Sequence, residues 1–186
     1  MKYDKNVFKE IKKSLTKLEA KRESAIKSSR EVITLSKKII YSVHRDELKV
    51  ASSLIKQIKS KLVGLRKIGF KDEGILRVAY QEYIEAVCYY ALIKDKILPT
   101  PKALGVNSED YLLGLSDLSG ELVRKAVALA TKKKMNEVNE IKDFLSDINY
   151  EFLQFNLRAS DLRKKADALR WNLKKLEDVV FSASVR

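Results

Sequence analysis

Apolar residues along this chain recur at intervals of three and four, the spacing that places them on one face of an α-helix. Val7, Ile11, Leu15 and Leu18 begin such a stripe. It predicts an amphipathic first helix from roughly Asp4 to His44. The stripe continues further along this segment through Ile33, Ile39, Ile40 and Val43.

A second helix is predicted from roughly Glu47 to Val63, with Asp46 as its N-terminal cap. Its apolar face would consist of Val50, Leu54, Ile58 and Leu62. Gly64 and Gly69 are expected to flank a turn or a short break, because glycine interrupts helices. A third helix follows from roughly Lys71 to Ile97.

The stretch "LPTPKALGVNSED" is predicted as the main loop, with room for one helical turn, and Ser108 or Asp110 would start a fourth helix that ends near Ala130. The basic joint "TKKKMN" separates it from a fifth helix, roughly Glu137 to Asn156. Ser160 is expected to cap a sixth. That sixth helix has apolar residues at alternating steps of four and three, a heptad seam, which consists of Leu162, Ala166, Leu169, Leu173, Leu176 and Val180.

Alternation typical of β-strands persists nowhere, and the sequence has no internal repeat. We therefore predict an all-α fold: a single-domain bundle of about six or seven helices that covers residues 1–186. The heptad seam and the apolar third helix suggest more apolar surface than one bundle needs, so we expect an oligomer. The pattern alone is equally consistent with a seam that packs within the chain.

Charge narrows the range of partners. Among 186 residues, 38 are Lys or Arg and 25 are Asp or Glu, a formal net charge of +13. Such an excess favours a polyanion, most often nucleic acid, with an anionic membrane surface as the rival. The single cysteine, Cys88, allows no internal disulfide, and the chain has neither a signal-peptide pattern nor an apolar run of about 18 residues. We expect a cytoplasmic protein that does not span a membrane.

Two pairs of acids stand in otherwise uncharged segments. Glu82 and Glu85 are the only charges within "VAYQEYIEAVCYYALI", and Asp117 and Glu121 are the only charges within "YLLGLSDLSGELV". Spacings of three and four put each pair on one helix face. Two helices could therefore offer up to four carboxylates, a ligand set that suits Mg²⁺ or Mn²⁺. A metal there could activate water and stabilise charge on a phosphate.

The spacing leaves other interpretations of the acids open. Each pair could face solvent, or could meet Arg77, Arg124 or another base. A di-iron bundle is disfavoured because the sequence lacks the Glu-x-x-His motifs of such bundles. A hydrolase with a catalytic triad is also disfavoured, because nothing in the sequence marks Cys88 and His44 as partners. We expect Cys88 to lie in the core and His44 at a helix end.

The remaining features have a packing interpretation beside a functional one. Gly114 and Gly120 lie inside the predicted fourth helix, where we expect close helix packing rather than substrate access. Four tyrosines near the first acidic pair could stack on unpaired bases, although core packing is the better explanation for most of them; they are Tyr80, Tyr83, Tyr89 and Tyr90. Basic clusters are dispersed along the chain, as in Lys132–Lys134 and Arg163–Lys165, and each alone is typical of a solvated helix face.

Three motifs together resemble the translin superfamily, which comprises translin and translin-associated factor X. "SREVITLSKKIIYSVHR" is similar to the first-helix signature of the family. "QEYIEAV" and "DYLLGLSDLSGELVR" are similar to the segments that hold the catalytic acids of factor X. The tail from "FNLRASDLRKK" onward looks more like translin, and the loop between the third and fourth helices is shorter than in eukaryotic factor X.

This resemblance implies an all-α chain that assembles into a closed homo-octameric shell around nucleic acid. It implies an endoribonuclease that depends on Mg²⁺, with Mn²⁺ as an alternative, and that acts on single-stranded RNA, with single-stranded DNA as a further ligand. The implied catalytic and metal-binding residues are Glu82, Glu85, Asp117 and Glu121. The candidate residues for contacting nucleic acid are Arg30, Lys37, Lys38, Arg45, Arg77 and Arg124.

Two other functions compete with this one. A translin-type protein would hold single-stranded RNA or DNA without cutting it. An all-α nucleotide pyrophosphohydrolase would also use helical Glu-x-x-Glu pairs with Mg²⁺, but its small substrates do not require a net charge of +13.

Overall fold

A computed structural model describes residues 3–70, 73–158 and 161–184, without the side chains of Glu73, Ile75 and Ser184. These residues form seven helices and no strand, which confirms the all-α prediction. In chain order the helices are α1 (Lys5–His44), α2 (Leu48–Lys67), α3 (Glu73–Asp95), α4 (Pro101–Leu104), α5 (Ser108–Thr131), α6 (Met135–Leu153) and α7 (Asp161–Ser184).

Helices α3 and α5 lie at the centre of the bundle and pack against one another. On one side α3 contacts α1 and α2, and on the other side α5 contacts α6 and α7. Each central helix therefore buries more than one face, which explains why the apolar stretches noted in the sequence are so continuous. The fully buried side chains of Tyr83, Tyr89 and Leu118 belong to this centre.

Helix α1 is packed along only part of its length. Asp4 caps it by accepting a hydrogen bond from the backbone N–H of Asn6, and the predicted range is confirmed. Its first buried residue is Ala25, and every residue from Tyr3 to Ser24 is exposed. Of the predicted apolar stripe, the second half, around Ile39, enters the core, whereas the first half does not.

The predicted cap of α2 is wrong, although the helix begins at Leu48, one residue after the predicted Glu47. Glu47, not Asp46, is the cap residue, and it makes no side-chain capping bond. Asp46 instead adopts a left-handed backbone with φ of 60°, and its carboxylate accepts a hydrogen bond from Lys125 Nζ at 2.6 Å. Asp46 therefore interacts with a distant residue on α5 and does not cap α2.

Two further details of this region differ from the prediction. Gly64 lies inside α2, which continues to Lys67, and it is Gly69, with φ of 64°, that takes the turn conformation. Val50 is exposed, because the buried face of α2 is rotated to carry Ala51, Ile55, Ile58, Leu62 and Leu65.

The main loop contains the expected helical turn, α4, and Ser108 begins α5 behind an Asn107 cap. Helix α6 begins two residues before the predicted Glu137 and ends at Leu153, not Asn156. The proposed Ser160 cap of the last helix lies outside the described residues.

The heptad seam of α7 packs within the chain. Leu169, Leu173 and Leu176 are buried in the core, and the other seam residues lie against it. Helix α7 contacts α5 and α6. The intramolecular interpretation of the seam is therefore correct, and the seam gives no support to an oligomer.

Gly114 allows the closest approach between α3 and α5. A Cβ atom at this position would lie 2.7 Å from the Cβ and Cγ2 atoms of Ile84 and 3.0 Å from the carbonyl oxygen of Gln81. A larger residue would force the helices apart, so close packing explains this glycine. Gly120 is different, because a Cβ there would meet just Asn172 Nδ2, at 3.8 Å.

Candidate active site

The close approach of α3 and α5 determines where the four predicted acids lie. Ile84, which contacts Gly114, is flanked on α3 by Glu82 and Glu85. On α5, Asp117 and Glu121 follow Gly114 by one and two turns. All four side chains are neither fully buried nor fully exposed. The two acidic pairs thus lie on adjoining helices beside the tightest contact in the bundle.

Burial and neighbouring carboxylates raise the pKa of two of the four acids, Glu85 and Glu82. Burial raises the pKa of Glu85 from 4.5 to about 8, and the nearby carboxylates of Asp117, Glu82 and Glu121 add to the effect. The pKa of Glu82 is also raised, first by burial and then by Asp117 and Glu121, against the opposing charge of Lys37. The four acids are therefore close enough to interact electrostatically, and they are called here the acid cluster.

Two of the four acids have basic partners. Lys165 of α7 contacts Asp117 through its ammonium group. Glu121 hydrogen-bonds to His44 Nε2, and Arg124 approaches the same oxygen at 3.5 Å. The bond to His44 is the main reason that the pKa of Glu121 is lowered. Glu82 and Glu85, in contrast, have no hydrogen bond or ion pair within the described part of the chain.

His44 links the acid cluster to the core. Its other ring nitrogen, Nδ1, lies 3.1 Å from the phenol oxygen of Tyr89, which is fully buried. A neutral imidazole with its proton on Nε2 satisfies both contacts, because it donates to Glu121 and accepts from Tyr89. His44 therefore fixes the orientation of the Glu121 carboxylate.

The basic residues predicted to contact nucleic acid differ in their position relative to the acid cluster. Lys37 on α1 lies close enough to Glu82 to oppose the rise in its pKa. Arg124 lies over the ring of Tyr41 at 5.3 Å, and its side chain is half exposed. These two residues border the acid cluster. Arg30 and Lys38 are exposed on α1, and Arg45 is exposed just after α1 and pairs with Glu47 at 2.8 Å.

Arg77 lies at a different place, where it joins three elements. It contacts Glu109 at 2.5 Å and Asp110 at 3.8 Å, both on α5, and Asp161 of α7 at 3.9 Å. Its charge is thus compensated by three carboxylates, an arrangement typical of a residue that fixes helix positions.

Most of the tyrosine side chains of α3, and its one cysteine, have a packing role. Tyr83, Tyr89 and Cys88 are buried in the core, as expected. Tyr80 and Tyr90 are half-buried, and each lies beneath a cationic group, Arg66 and Lys94 respectively.

The acid cluster fits a hard divalent cation in the chemistry of its ligands, since four carboxylates supply oxygen alone. Among the described residues, however, no three His, Cys, Asp or Glu side chains stand close enough to hold a metal ion. Lys165 occupies the carboxylate of Asp117. Mg²⁺ binding therefore requires side-chain movement, in which Lys165 releases Asp117. The metal stays a prediction.

The sequence did not reveal His44 and Lys165 as members of this site. His44 was expected merely to end a helix, and Lys165 belonged to a basic run typical of solvated surface. Each reaches its acid across a long stretch of chain: 77 residues separate His44 from Glu121, and 48 separate Lys165 from Asp117. The His at the end of the first-helix signature was the one available signal.

Comparison with known proteins relates this arrangement to a family. The model of the Translin family matches residues 20–186. An uncharacterised protein of Methanocaldococcus jannaschii is 30% identical over 161 residues, which are 83% of this chain and 72% of that protein. The translin-associated protein X homolog of Schizosaccharomyces pombe is 25% identical over 203 residues, with 96% of this chain and 87% of the homolog covered.

Translin of Gallus gallus is 37% identical over a shorter match of 78 residues, which are 42% of this chain and 34% of that protein.

Across the part of this chain that the structure describes, no helix is long and apolar enough to cross a membrane.

Two solved structures share the whole fold. The crystal structure of apo-NeC3PO gives a TM-score of 0.91 at 26% identity and covers 98% of this chain and 100% of that chain. The complex of AfC3PO with duplex RNA gives a TM-score of 0.83 at 25% identity, with 96% of each chain covered. Since the family model spans nearly the whole sequence, the chain belongs to the translin family.

Proposed function

We propose that this chain is an endoribonuclease that binds single-stranded RNA, requires Mg²⁺ and works inside a homo-oligomeric shell. The observation that supports the proposal most is the raised pKa of Glu85, about 8, within a cluster of four carboxylates. Mutually repelling acids lower stability unless a cation compensates them, and such shifts concentrate at functional sites. Mg²⁺ in the cluster would supply activation of water and stabilisation of charge on the phosphate.

In this proposal Glu82, Glu85 and Asp117 hold the cation. Glu82 and Glu85 are the acids without a described basic partner, so no base competes for their oxygens, and binding of the cation would release the proton that Glu85 holds below about pH 8. Asp117 becomes available when Lys165 moves, and the freed ammonium group can then contact a phosphate oxygen of the RNA. Glu121, held by His44 and Tyr89, supports the cluster with a fixed negative charge.

RNA binding rests on charge and on a relative. The net charge of +13 suits a polyanion, and a structure of AfC3PO in complex with duplex RNA has been solved. Lys37 and Arg124 border the acid cluster and would hold the backbone next to the cleaved bond. Several such phosphate contacts should make binding weaken steeply as salt concentration rises.

The test is incubation of the purified chain with an end-labelled single-stranded RNA. We expect cleavage with Mg²⁺, loss of cleavage with EDTA, and at least a hundredfold slower cleavage by Glu85→Gln. Glu177→Gln is the matched control, because Glu177 is an exposed acid on α7, about three turns beyond Lys165, and it should cleave normally. Cleavage that survives EDTA or Glu85→Gln would contradict the proposal.

A second function has its own support: a translin-type protein that binds single-stranded RNA or DNA without cutting it. The contacts of Lys165 with Asp117 and of Arg124 with Glu121 favour it, because these cationic groups already compensate two of the four acids. This alternative predicts salt-sensitive binding of the same RNA with no cleavage in Mg²⁺ or Mn²⁺. Insensitivity of binding to salt would count against both functions.

A further inference from the structure

The first half of α1 packs against no other element among the residues that the structure describes. Residues 5–24, called here the arm, are all exposed and span about 30 Å at the ordinary helical rise. Five apolar side chains lie along one side of the arm at 47–60% exposure, and they are Val7, Phe8, Ile11, Leu15 and Leu18. Isolated helices of this length are marginal in water, so a surface that covers this side would stabilise the arm.

The arm is also basic. It carries seven Lys or Arg residues against three Glu, a net charge of +4. Two arms placed side by side would repel one another. The surface that covers the arm should therefore combine exposed apolar side chains with negative charge.

The outer face of α6 has this combination. Helix α6 carries five acids against one Lys, a net charge of −4 in a chain whose total is +13. Asp143, Asp147 and Glu151 are exposed and spaced by four, so they form one stripe on the side away from the core. Beside this stripe, Tyr150 is 61% exposed and Leu153 is 65% exposed.

These two surfaces complement each other in length as well as in charge. Helix α6 has 19 residues, about 28 Å, which matches the arm. Lys134 and Lys96 already pair with Glu137 and Glu140 at the start of α6. Asp143, at the middle of α6, contacts its neighbour Lys142 at 3.0 Å, and the other two acids lie in the C-terminal half, where the apolar side chains are exposed. An apolar and basic helix thus fits an apolar and acidic one.

We infer that the arm of one copy of this chain packs against the outer face of α6 of a second copy. This contact deepens the proposed function, since it names the surfaces that hold the homo-oligomeric shell together. It joins two different patches, which makes it heterologous, and heterologous contacts form a closed ring when the rotation between successive copies completes a circle. The family model begins at residue 20, so residues 5–19 of the arm lie outside the matched region.

Two other occupants of the arm are distinguishable by experiment. A basic amphipathic helix can also lie on an anionic lipid surface, and its lysines can contact RNA phosphates. Neither occupant would account for the acidic and apolar outer face of α6, which both would leave uncovered. A second copy covers both surfaces at once.

Charge reversal tests the contact in the full-length chain. One variant combines Lys12→Glu, Lys21→Glu and Arg22→Glu, which lie on or beside the apolar side of the arm, and the other combines Asp143→Lys, Asp147→Lys and Glu151→Lys on α6. Mass in solution, measured by light scattering, should fall at least twofold for each variant alone. An equimolar mixture should recover the wild-type mass, because each reversed surface then meets a complementary one.

A matched control reverses three exposed lysines of α2, with Lys49→Glu, Lys56→Glu and Lys59→Glu, and should keep the wild-type mass. Unchanged mass in the arm variant would overturn the inference, and so would a mixture that fails to recover. Loss of binding to phosphatidylserine vesicles or to single-stranded RNA at unchanged mass would identify the other occupant. RNA cleavage by the wild-type chain reports the proposed function separately, so the two failures are distinguishable.

Discussion

Two groups of half-buried charge in this molecule have opposite electrostatic effects. In the acid cluster, burial and neighbouring carboxylates raise the pKa of Glu85 to about 8. At the turn between α1 and α2, the hydrogen bond from Lys125 lowers the pKa of Asp46, with Lys132 and Lys134 adding to the effect. Lys125 is itself buried, so this second group pairs opposite charges and lets the fold bury a cation.

The contrast shows which group the fold itself requires. The Asp46–Lys125 pair stabilises the joint between α1, α2 and α5, and its charges are balanced without any ligand. The acid cluster places like charges together and destabilises the folded chain when the acids ionise. An arrangement that lowers stability is expected where a ligand compensates it. The same change, carboxylate to amide, should therefore have opposite effects at the two places.

The largest effect is expected from Glu85→Gln. Between pH 4.5 and about 8 the folded chain holds a proton that the unfolded chain has released, so the free energy of unfolding falls as pH rises. Glutamine does not ionise, so Glu85→Gln removes this loss of stability. At pH 8 without metal it should raise the free energy of unfolding by about 2–4 kcal/mol, and at pH 4 it should change little. Urea denaturation at both pH values measures this, and equal effects would contradict it.

Next in size is Gly114→Ala. The added Cβ would lie 2.7 Å from Ile84 and should lower the free energy of unfolding by about 1–3 kcal/mol. It should also separate α3 from α5, which weakens the influence of Asp117 on Glu85 and lowers the pKa of Glu85. Gly64→Ala is the control. It has nothing within 4 Å and should stabilise α2 by about 0.5–1 kcal/mol.

A smaller effect of opposite sign to Glu85→Gln is expected from Asp46→Asn. Asparagine tolerates the left-handed backbone of this position, so the variant changes charge alone. Loss of the bond to Lys125 should lower the free energy of unfolding at pH 7 by about 1 kcal/mol, a modest amount because Asp46 is 63% exposed. The loss should shrink as pH falls through the lowered pKa of Asp46, because the wild-type carboxylate then also becomes neutral. Thermal unfolding from pH 7 downward checks the sign.

The smallest effect is expected from Lys165→Met. Removal of the ammonium group from Asp117 should raise Mg²⁺ affinity about threefold to tenfold at pH 7, since cation and ammonium compete for one carboxylate. Lys164→Met is the control, because Lys164 is 83% exposed and pairs with Asp161. Isothermal titration calorimetry measures both, and a weaker Mg²⁺ affinity in Lys165→Met would contradict the competition.

The comparison also shows what could be predicted from the sequence. Apolar periodicity is local, so it placed the helices and, together with charge isolation, singled out Glu82, Glu85, Asp117 and Glu121. The interactions of Asp46 depend on tertiary structure. As an Asp before a helix it was expected to cap α2, but a partner 79 residues away determines its conformation.

The exposure of the arm could not be predicted from the sequence either. Val7 and Ile39 belong to the same periodic stripe, yet one is exposed and the other is buried. Periodicity defines a helix face but not what covers it, and that depends on where α2 and α3 end up. The same limit applies to the α7 seam, whose pattern fitted an internal contact and an oligomer equally well.

The central claim is that the acid cluster is a cation site. Its most direct test is NMR titration of the Glu85 side-chain carboxyl with and without Mg²⁺. We expect the Glu85 carboxyl to have a pKa near 8 without metal. This pKa should fall by more than one unit when Mg²⁺ saturates the site, because the cation favours the ionised form. A pKa near 4.5 without metal, or one that Mg²⁺ leaves unchanged, would contradict it.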